Sequence, residues 1–441
     1  MRPTLTEEVD ARMQTAIARV PELEVIESME SEVRSYVRSF PAAFTKAKGP
    51  YLWTTTGQRY VDFFSGAGAL NYGHNHPTLK AALLEYLESD GITHSLDMAT
   101  VAKGAFLEAL RDLVLAPRGL EYRVQFPGPT GTNAVEAALK LARKVTGRHT
   151  IIAFTNAFHG MTIGSLAVSG NRFKRNGAGL PLQGSISVPF AGFLPKGGES
   201  LDYLERFLDD GGSGMPAPAG VICETVQGEG GLATASAAWL QRLSGICHRR
   251  DLPLIVDDVQ AGCGRTGQFF SFEFAGIHPD IVCLSKSLSG YGLPLAVTLI
   301  RPDLDRAWEP GEHNGTFRGH NPAFVTGRVA LETFWRDGRL DATTQRRSRR
   351  LTSWLQELAA RYPKAIAGVR GRGLMLGLVC TPPDLAQRIS ATAFAGGLLV
   401  ETSGPASEVV KLLPSLTCPD DVLREGFDIL SESVARCVAS A

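Results

Sequence analysis

Leu252-Pro253-Leu254-Ile255-Val256-Asp257-Asp258-Val259-Gln260-Ala261-Gly262 is an apolar run that ends in two acids and a glycine turn; Val282-Cys283-Leu284-Ser285-Lys286-Ser287-Leu288-Ser289-Gly290 repeats the plan with a lysine at its end. Runs this short and apolar read as strands buried on both faces, the kind found in parallel sheets. Outward from this pair the pattern alternates. Residues 122–126, 150–154 and 220–223 read as further strands, whereas residues 132–145 and 237–249 carry helical spacing. The alternation predicts an α/β fold, a mostly parallel central sheet with helices on both faces. Ligands of such sheets lie beyond the carboxyl ends of the strands, so Asp257 and Lys286 are expected to project into one crevice.

The 441 residues exceed one ordinary core. Hydrophobic residues at 44% and charged residues at 20% match a soluble globular chain, and 45 basic residues balance 45 acidic ones. No overall field favours nucleic acid or an anionic membrane. Residues 1–8 carry charge where a signal peptide has an apolar core, and no stretch approaches the length of a membrane span, so a cytoplasmic location is expected. Seven cysteines are scattered without CxxC spacing and read as reduced core residues.

Leu23, Ile26, Met29, Val33 and Val37 recur at helical spacing and predict an amphipathic helix over residues 22–38, stopped by Pro41. Residues 51–53 and 60–64 flank Thr56-Gly57-Gln58 as a hairpin, and Pro77 is placed to open a helix. The Gly/Ser/Pro-rich residues 211–218 read as a surface loop, because the strand-helix alternation runs through them. The expected division is an N-terminal segment over residues 1–72, a large domain over 73–330 and a small α/β domain over 331–441, with the first and last packing together.

Several motifs sit where a ligand would be held. Pro127-Gly128-Pro129-Thr130-Gly131-Thr132-Asn133 joins a strand to a helix; it suits a phosphate at the helix N-terminus, or an ordinary capping turn for which Thr132 or Asn133 would suffice. Phe158, in Asn156-Ala157-Phe158-His159-Gly160-Met161, places a ring at another strand end, where it could stack on a planar group or belong to the core. Gly66-Ala67-Gly68-Ala69-Leu70-Asn71 lacks the third glycine of a dinucleotide site, and His74 and His76 lack a third metal ligand, so no metal is expected. Cys223-Glu224-Thr225-Val226-Gln227-Gly228-Glu229 supplies two carboxylates, and Arg370 and Arg372 two cations able to bind a carboxylate bidentately. An acid for a protonated ring nitrogen and an amine for an aldehyde are together the protein's share of pyridoxal phosphate chemistry.

In order, Gly73-His74-Asn75-His76-Pro77, Thr130-Gly131-Thr132-Asn133 with Glu136, Phe158-His159-Gly160, Gln227-Gly228-Glu229-Gly230-Gly231, Asp257-Asp258-Val259-Gln260, Ser285-Lys286 and Gly315-Thr316-Phe317-Arg318-Gly319 span nearly the whole chain. The sequence resembles the class III (ω-amino acid) aminotransferases of pyridoxal phosphate fold type I. Within that class, residues 29–41, 66–75 and 289–294 resemble the diaminobutyrate-2-oxoglutarate aminotransferases of ectoine biosynthesis.

The resemblance implies that Lys286 carries the cofactor as a Schiff base and acts as base and acid. It implies further that Asp257 pairs with the ring nitrogen, that Gln260 meets the phenolic oxygen and that Phe158 stacks on the ring. Gly131 and Thr132 would bind the phosphate, with His159 and Glu224 in the same cofactor site. Thr316 would reach the phosphate of a neighbouring subunit in a homodimer or dimer of dimers. Glu229 and Arg370 match a switch in which the arginine binds the α-carboxylate of glutamate and Glu229 neutralises it otherwise. The reaction implied is glutamate with L-aspartate 4-semialdehyde to 2-oxoglutarate and L-2,4-diaminobutyrate; the alternatives are another ω-aminotransferase, or a class III racemase or mutase. One departure stands out: Met161 replaces an arginine that several relatives carry after Phe-His-Gly, leaving Arg318 or a main-chain contact to hold the far carboxylate.

Overall fold

A computed structural model describes residues 21–195 and 198–439; the charged opening over residues 1–8 lies outside them. The strands predicted around Asp257 and Lys286 lie at the centre of a seven-stranded sheet. Its order is Arg123–Gln125, Val297–Ile300, Ile281–Leu284, Leu254–Asp257, Pro218–Cys223, Thr150–Phe154 and Ser185–Val188, and only Val297–Ile300 runs against its neighbours. Every residue of Pro218–Cys223, Leu254–Asp257 and Ile281–Leu284 is buried, as expected of strands covered on both faces. Gly131–Thr146 and Ala237–Arg249 form as helices, and Pro77 is the first residue of Pro77–Glu88.

Beyond helix Asn321–Phe334, the strands Ile366–Arg372, Met375–Cys380, Val409–Leu412 and Glu401–Ser403 form an antiparallel sheet. The N-terminal hairpin strands Tyr51–Thr54 and Arg59–Asp62 belong to another sheet, which Leu398–Leu399 completes by pairing parallel to Arg59–Asp62. The two ends of the sequence are therefore joined by backbone hydrogen bonds.

The N-terminal helix departs from expectation: Pro21–Met29 is helical, and only the single turn Tyr36–Ser39 follows. The Arg34 guanidinium takes the carbonyls of Glu30 and Ser31, competing with the helical ladder. Tyr36 and Phe40 pack on Phe64, with ring centroids 4.9 and 5.6 Å away, whereas Met29 and Val33 stay 81% and 88% exposed. Aromatic packing of the second turn overrides the periodicity of the first.

Arg265 is fully buried and ties distant parts of the chain together. Its guanidinium donates to Asn71 Oδ1 at 2.6 and 3.1 Å, to the Leu374 carbonyl at 3.0 Å and to the Pro414 carbonyl at 2.5 Å. Gly373 turns the hairpin beside it at φ +66, where a Cβ would lie 2.5 Å from the Arg265 carbonyl oxygen. All seven cysteines are buried, and no disulfide joins any of them among the described residues. No helix among the described residues is long and apolar enough to cross a membrane. Replacing Arg265 by alanine strips three buried acceptors of their donor and opens a cavity, so unfolding in denaturant is expected to show a loss of about 3–5 kcal/mol; a loss below ~1 kcal/mol would contradict the tie.

Candidate active site

Asp257 ends its strand opposite Cys283 of the next, and Lys286 follows two residues after that strand, so the two side chains reach the same carboxyl edge of the sheet. A cavity of about 380 Å³ lies there. It brings together Gly131, Thr132, Phe158, His159, Glu224, Glu229, Asp257, Gln260 and Lys286.

Lys286 has left-handed backbone, φ +48, an arrangement that costs a non-glycine residue free energy and persists only where its surroundings impose it. Those surroundings are polar anchors on both sides: Ser285 Oγ donates to the Leu295 carbonyl at 2.8 Å, and Ser287 Oγ to that of Gly68 at 2.8 Å. Burial, with Lys411 adding to it, pulls the Lys286 amine below the ordinary lysine range against the opposing charge of Glu229. More of it is therefore in the neutral, nucleophilic form.

Asp257 Oδ2 lies 2.7 Å from His159 Nδ1, and its Oδ1 accepts from the Val259 amide at 3.1 Å. Burial pulls the imidazole pKa down, but the Asp257 hydrogen bond and charge, helped by Glu224, outweigh it and hold the pKa above the usual value. Glu224 accepts from the amides of Phe158 at 3.0 Å and Gly228 at 3.1 Å. Burial, aided by the Asp257 charge, pushes this carboxyl up to about 7.

At the other end of the cavity begins helix Gly131–Thr146, whose first amides have no intrahelical partner and whose dipole favours an anion. Its cap is Thr130 rather than Thr132 or Asn133: the Thr130 amide and hydroxyl donate to Asn133 Oδ1 at 3.1 and 2.8 Å. Thr132 is bonded instead to Thr162 and Ser165, at 2.7 and 2.8 Å. A Cβ on Gly131 would lie 2.8 Å from Val259 Cγ1, so that wall fits only glycine. The Gly66-Ala67-Gly68 stretch, no nucleotide loop, offers the Ala67 carbonyl to Gln260 Nε2 at 3.0 Å. Gln260 Oε1 and His159 Nε2 are buried without a partner. These orphaned polar atoms, the glycine cradle at a helix start, and an acid and an amine at adjacent strand ends fit a phosphorylated planar cofactor with a ring nitrogen.

Glu229 and Arg370, expected to act together on a substrate carboxylate, are not paired with each other. Arg370 is exposed, does not line the cavity, and donates to the Gly231 carbonyl at 3.3 Å. Glu229 pairs instead with Lys411, Nζ to Oε1 2.7 Å, and the same ammonium meets Glu401 Oε1 at 2.9 Å. Lys411 has no solvent exposure, while about a quarter of the Glu229 side chain (24%) stays accessible. Burial alone would raise the Glu229 pKa, but Lys411, Lys286 and Lys174 hold it well below the ordinary carboxylate range. Tyr36 Oη donates to Glu401 Oε2 at 3.2 Å, which carries the network to the N-terminal segment. The signal for Lys411 was a lone lysine in the otherwise apolar strand Val409–Leu412, a residue type seldom fully buried without a partner. Arg318 is bonded to Asn314, and Met161 is 55% exposed; neither lines the cavity. Thr316 is exposed on a short turn beside Phe317.

Residues 33–434 match the family model described as aminotransferase class-III. The chain is 57% identical over 417 residues to a diaminobutyrate--2-oxoglutarate transaminase of Halalkalibacterium halodurans, covering 95% of this chain and 97% of that one. It is 58% identical over 413 residues to the enzyme of the same name from Nocardia farcinica, covering 94% of each. The structure of an amine transaminase from an uncultivated Pseudomonas species, in its PLP-bound form, superposes with a TM-score of 0.81 over 93% of this chain and 98% of that one, at 26% identity. The cavity at the strand ends and the match over most of the length agree: the chain belongs to the class III aminotransferases.

Proposed function

We propose that this enzyme transfers the amino group of glutamate to L-aspartate 4-semialdehyde, forming 2-oxoglutarate and L-2,4-diaminobutyrate in two alternating half-reactions. The observation that carries the choice is the ion pair of Glu229, which lines the cavity, with the enclosed Lys411 behind it. Glutamate reacts at a carbon that bears a carboxylate, whereas diaminobutyrate reacts at a terminal carbon that bears none. One site serves both if its cation can be covered by an internal acid and uncovered by the substrate. The relatives named for this reaction support the same substrate pair.

Pyridoxal phosphate, the cofactor, supplies the electron sink that weakens bonds at the carbon bearing the amino group. The roles of the chain's own residues follow from position. Asp257, oriented by His159, would hold a proton at the ring nitrogen. Phe158 would cover the ring face, Gln260 would meet the phenolic oxygen, and Gly131 and Thr132 would receive the phosphate at the helix start. Glu224 fixes the Phe158 and Gly228 amides, which sets the height of the stacking ring. Lys286 Nζ, in its partly neutral state, removes the proton from the substrate carbon. Lys411 takes the cationic role first assigned to Arg370, binding the α-carboxylate of glutamate.

Two copies of the chain form the working unit in this reading, with Thr316 of each completing the other's phosphate site. Thr316 is exposed, and Phe317, Leu96 and Met98 around that face are 65%, 43% and 62% exposed. Free buried cysteines suit a reducing compartment, the cytoplasm.

Three outcomes are expected. Borohydride treatment of the yellow holoenzyme adds the cofactor's mass to the peptide containing Lys286, and Lys286→Ala abolishes this while lowering turnover by about 10³-fold or more; retained turnover in the variant would remove Lys286 from the chemistry. Lys411→Met raises the KM for glutamate by roughly 10–100-fold, as expected for a lost charge-assisted pair, and the diaminobutyrate KM by a smaller factor set by the two acids left without their cation; Arg370→Ala changes neither. A racemase or mutase would not convert the bound cofactor stoichiometrically with glutamate. Sedimentation equilibrium should give a dimer or a multiple of it, and a monomer of full activity would remove Thr316 from the site.

A further inference from the structure

Glu229 stands at a junction of three spaces. It lines the main cavity, a second polar cavity of about 350 Å³ that Tyr36, Ser390 and Glu401 also line, and a narrow cleft shared with Phe158, Asn171 and Lys174. The side chain has open volume on more than one side, while its partner Lys411 is enclosed and keeps a second acid, Glu401, braced by Tyr36. If a substrate carboxylate takes Lys411, Glu229 is therefore the acid that can leave. A carboxylate released from an ion pair in a half-buried site is costly unless another cation receives it.

Lys174 is such a cation. It lies on the short helix Arg172–Asn176, its amide held by Asn171 Oδ1 at 3.0 Å, and its Nζ stands 4.0 Å from the centre of the Phe158 ring. Among the described residues it has no carboxylate partner, and its side chain is half-buried against the cleft that Glu229 borders. Its charge already favours the ionised form of Glu229. Arg38, the cation that lines the second cavity, is engaged by Glu32 and by the Glu32 and Arg34 carbonyls.

We propose that Lys174 is the receiving partner of Glu229: when the α-carboxylate of glutamate takes Lys411, Glu229 turns across the cleft to Lys174, and it returns when a substrate without that carboxylate occupies the site. The exchange keeps Glu229 and Lys411 each paired in both half-reactions. It rests on the reading that Lys411 binds the glutamate α-carboxylate, and it makes Lys174 a positioning residue that acts through Glu229 without touching substrate. Phe158, between Lys174 and the cavity, would keep the two cations on separate sides of the ring.

A double-mutant cycle tests this. Lys174→Met is measured alone and combined with Glu229→Gln, in the glutamate and diaminobutyrate half-reactions followed by cofactor absorbance, and in the binding of glutarate, a non-reacting dicarboxylate, by calorimetry. The expected result for Lys174→Met is a KM for glutamate and a Kd for glutarate raised about tenfold, the factor equivalent to ~1.4 kcal/mol, with kcat and the diaminobutyrate KM unchanged. In the Glu229→Gln background the same substitution has no effect on glutarate binding, and Lys174→Arg restores wild-type constants. Equal losses with both substrates would overturn the proposal by making Lys174 a direct contact for their far carboxylate. Equal losses in both backgrounds, or no loss at all, would overturn it too. Absence of glutamate turnover in the wild type would instead defeat the reading beneath it.

Discussion

Lys411 carries its charge on a strand whose other residues are Val409, Val410 and Leu412, with no exposure to water. Removing an ammonium from water costs several kcal/mol unless close, well-oriented acids offset it. Much of the site's geometry is that offset. The register of the small sheet sets Glu401 opposite Lys411, and the glycine-rich loop after Pro218–Cys223 brings Glu229 and the Gly228 carbonyl to the same nitrogen, the latter at 3.2 Å. One charge thus binds the small antiparallel sheet to a loop of the large, mostly parallel one, and Glu229 of that loop lines the chemical cavity.

The loop that holds Glu229 shows how environment separates like residues. Glu224 and Glu229 are five residues apart in sequence. The first is enclosed beside Asp257 and is pushed up to about 7; the second faces three lysines and stays ionised. A carboxyl near neutrality suits a group that anchors amides, and a fully charged one suits a group that competes with a substrate for a cation.

Much of this was legible in the sequence, for a physical reason. Asp257, Lys286, Phe158 and Gly131 sit at strand ends or at a helix start, and in a parallel sheet those positions converge whatever the loops do. The cation that pairs with Glu229 was not legible in that way. Arg370 and Lys411 lie on different strands of the small sheet, and only their register and facing decide which one meets Glu229; local pattern favoured the arginine beside a glycine, while tertiary pairing brings the lysine between apolar residues to that acid. The N-terminal helix failed similarly, because Tyr36 and Phe40 gain more from Phe64 and Phe394 than a continuous helix could return.

The seven cysteines bear on how the molecule ages. Each is buried, and burial raises the thiols of Cys223, Cys263 and Cys283, so reactive thiolate is scarce. Among the described residues, oxidants arriving from solvent would meet sulfur first at Met29, Met98 and Met161, which are 81%, 62% and 55% exposed. Met161 follows Phe158 by three residues in the same loop, so a sulfoxide there would add a polar group to that loop. In this fold, oxidative wear would begin at thioether sulfur, and a methionine sulfoxide reductase rather than a thiol reductant would be the chemistry that reverses it.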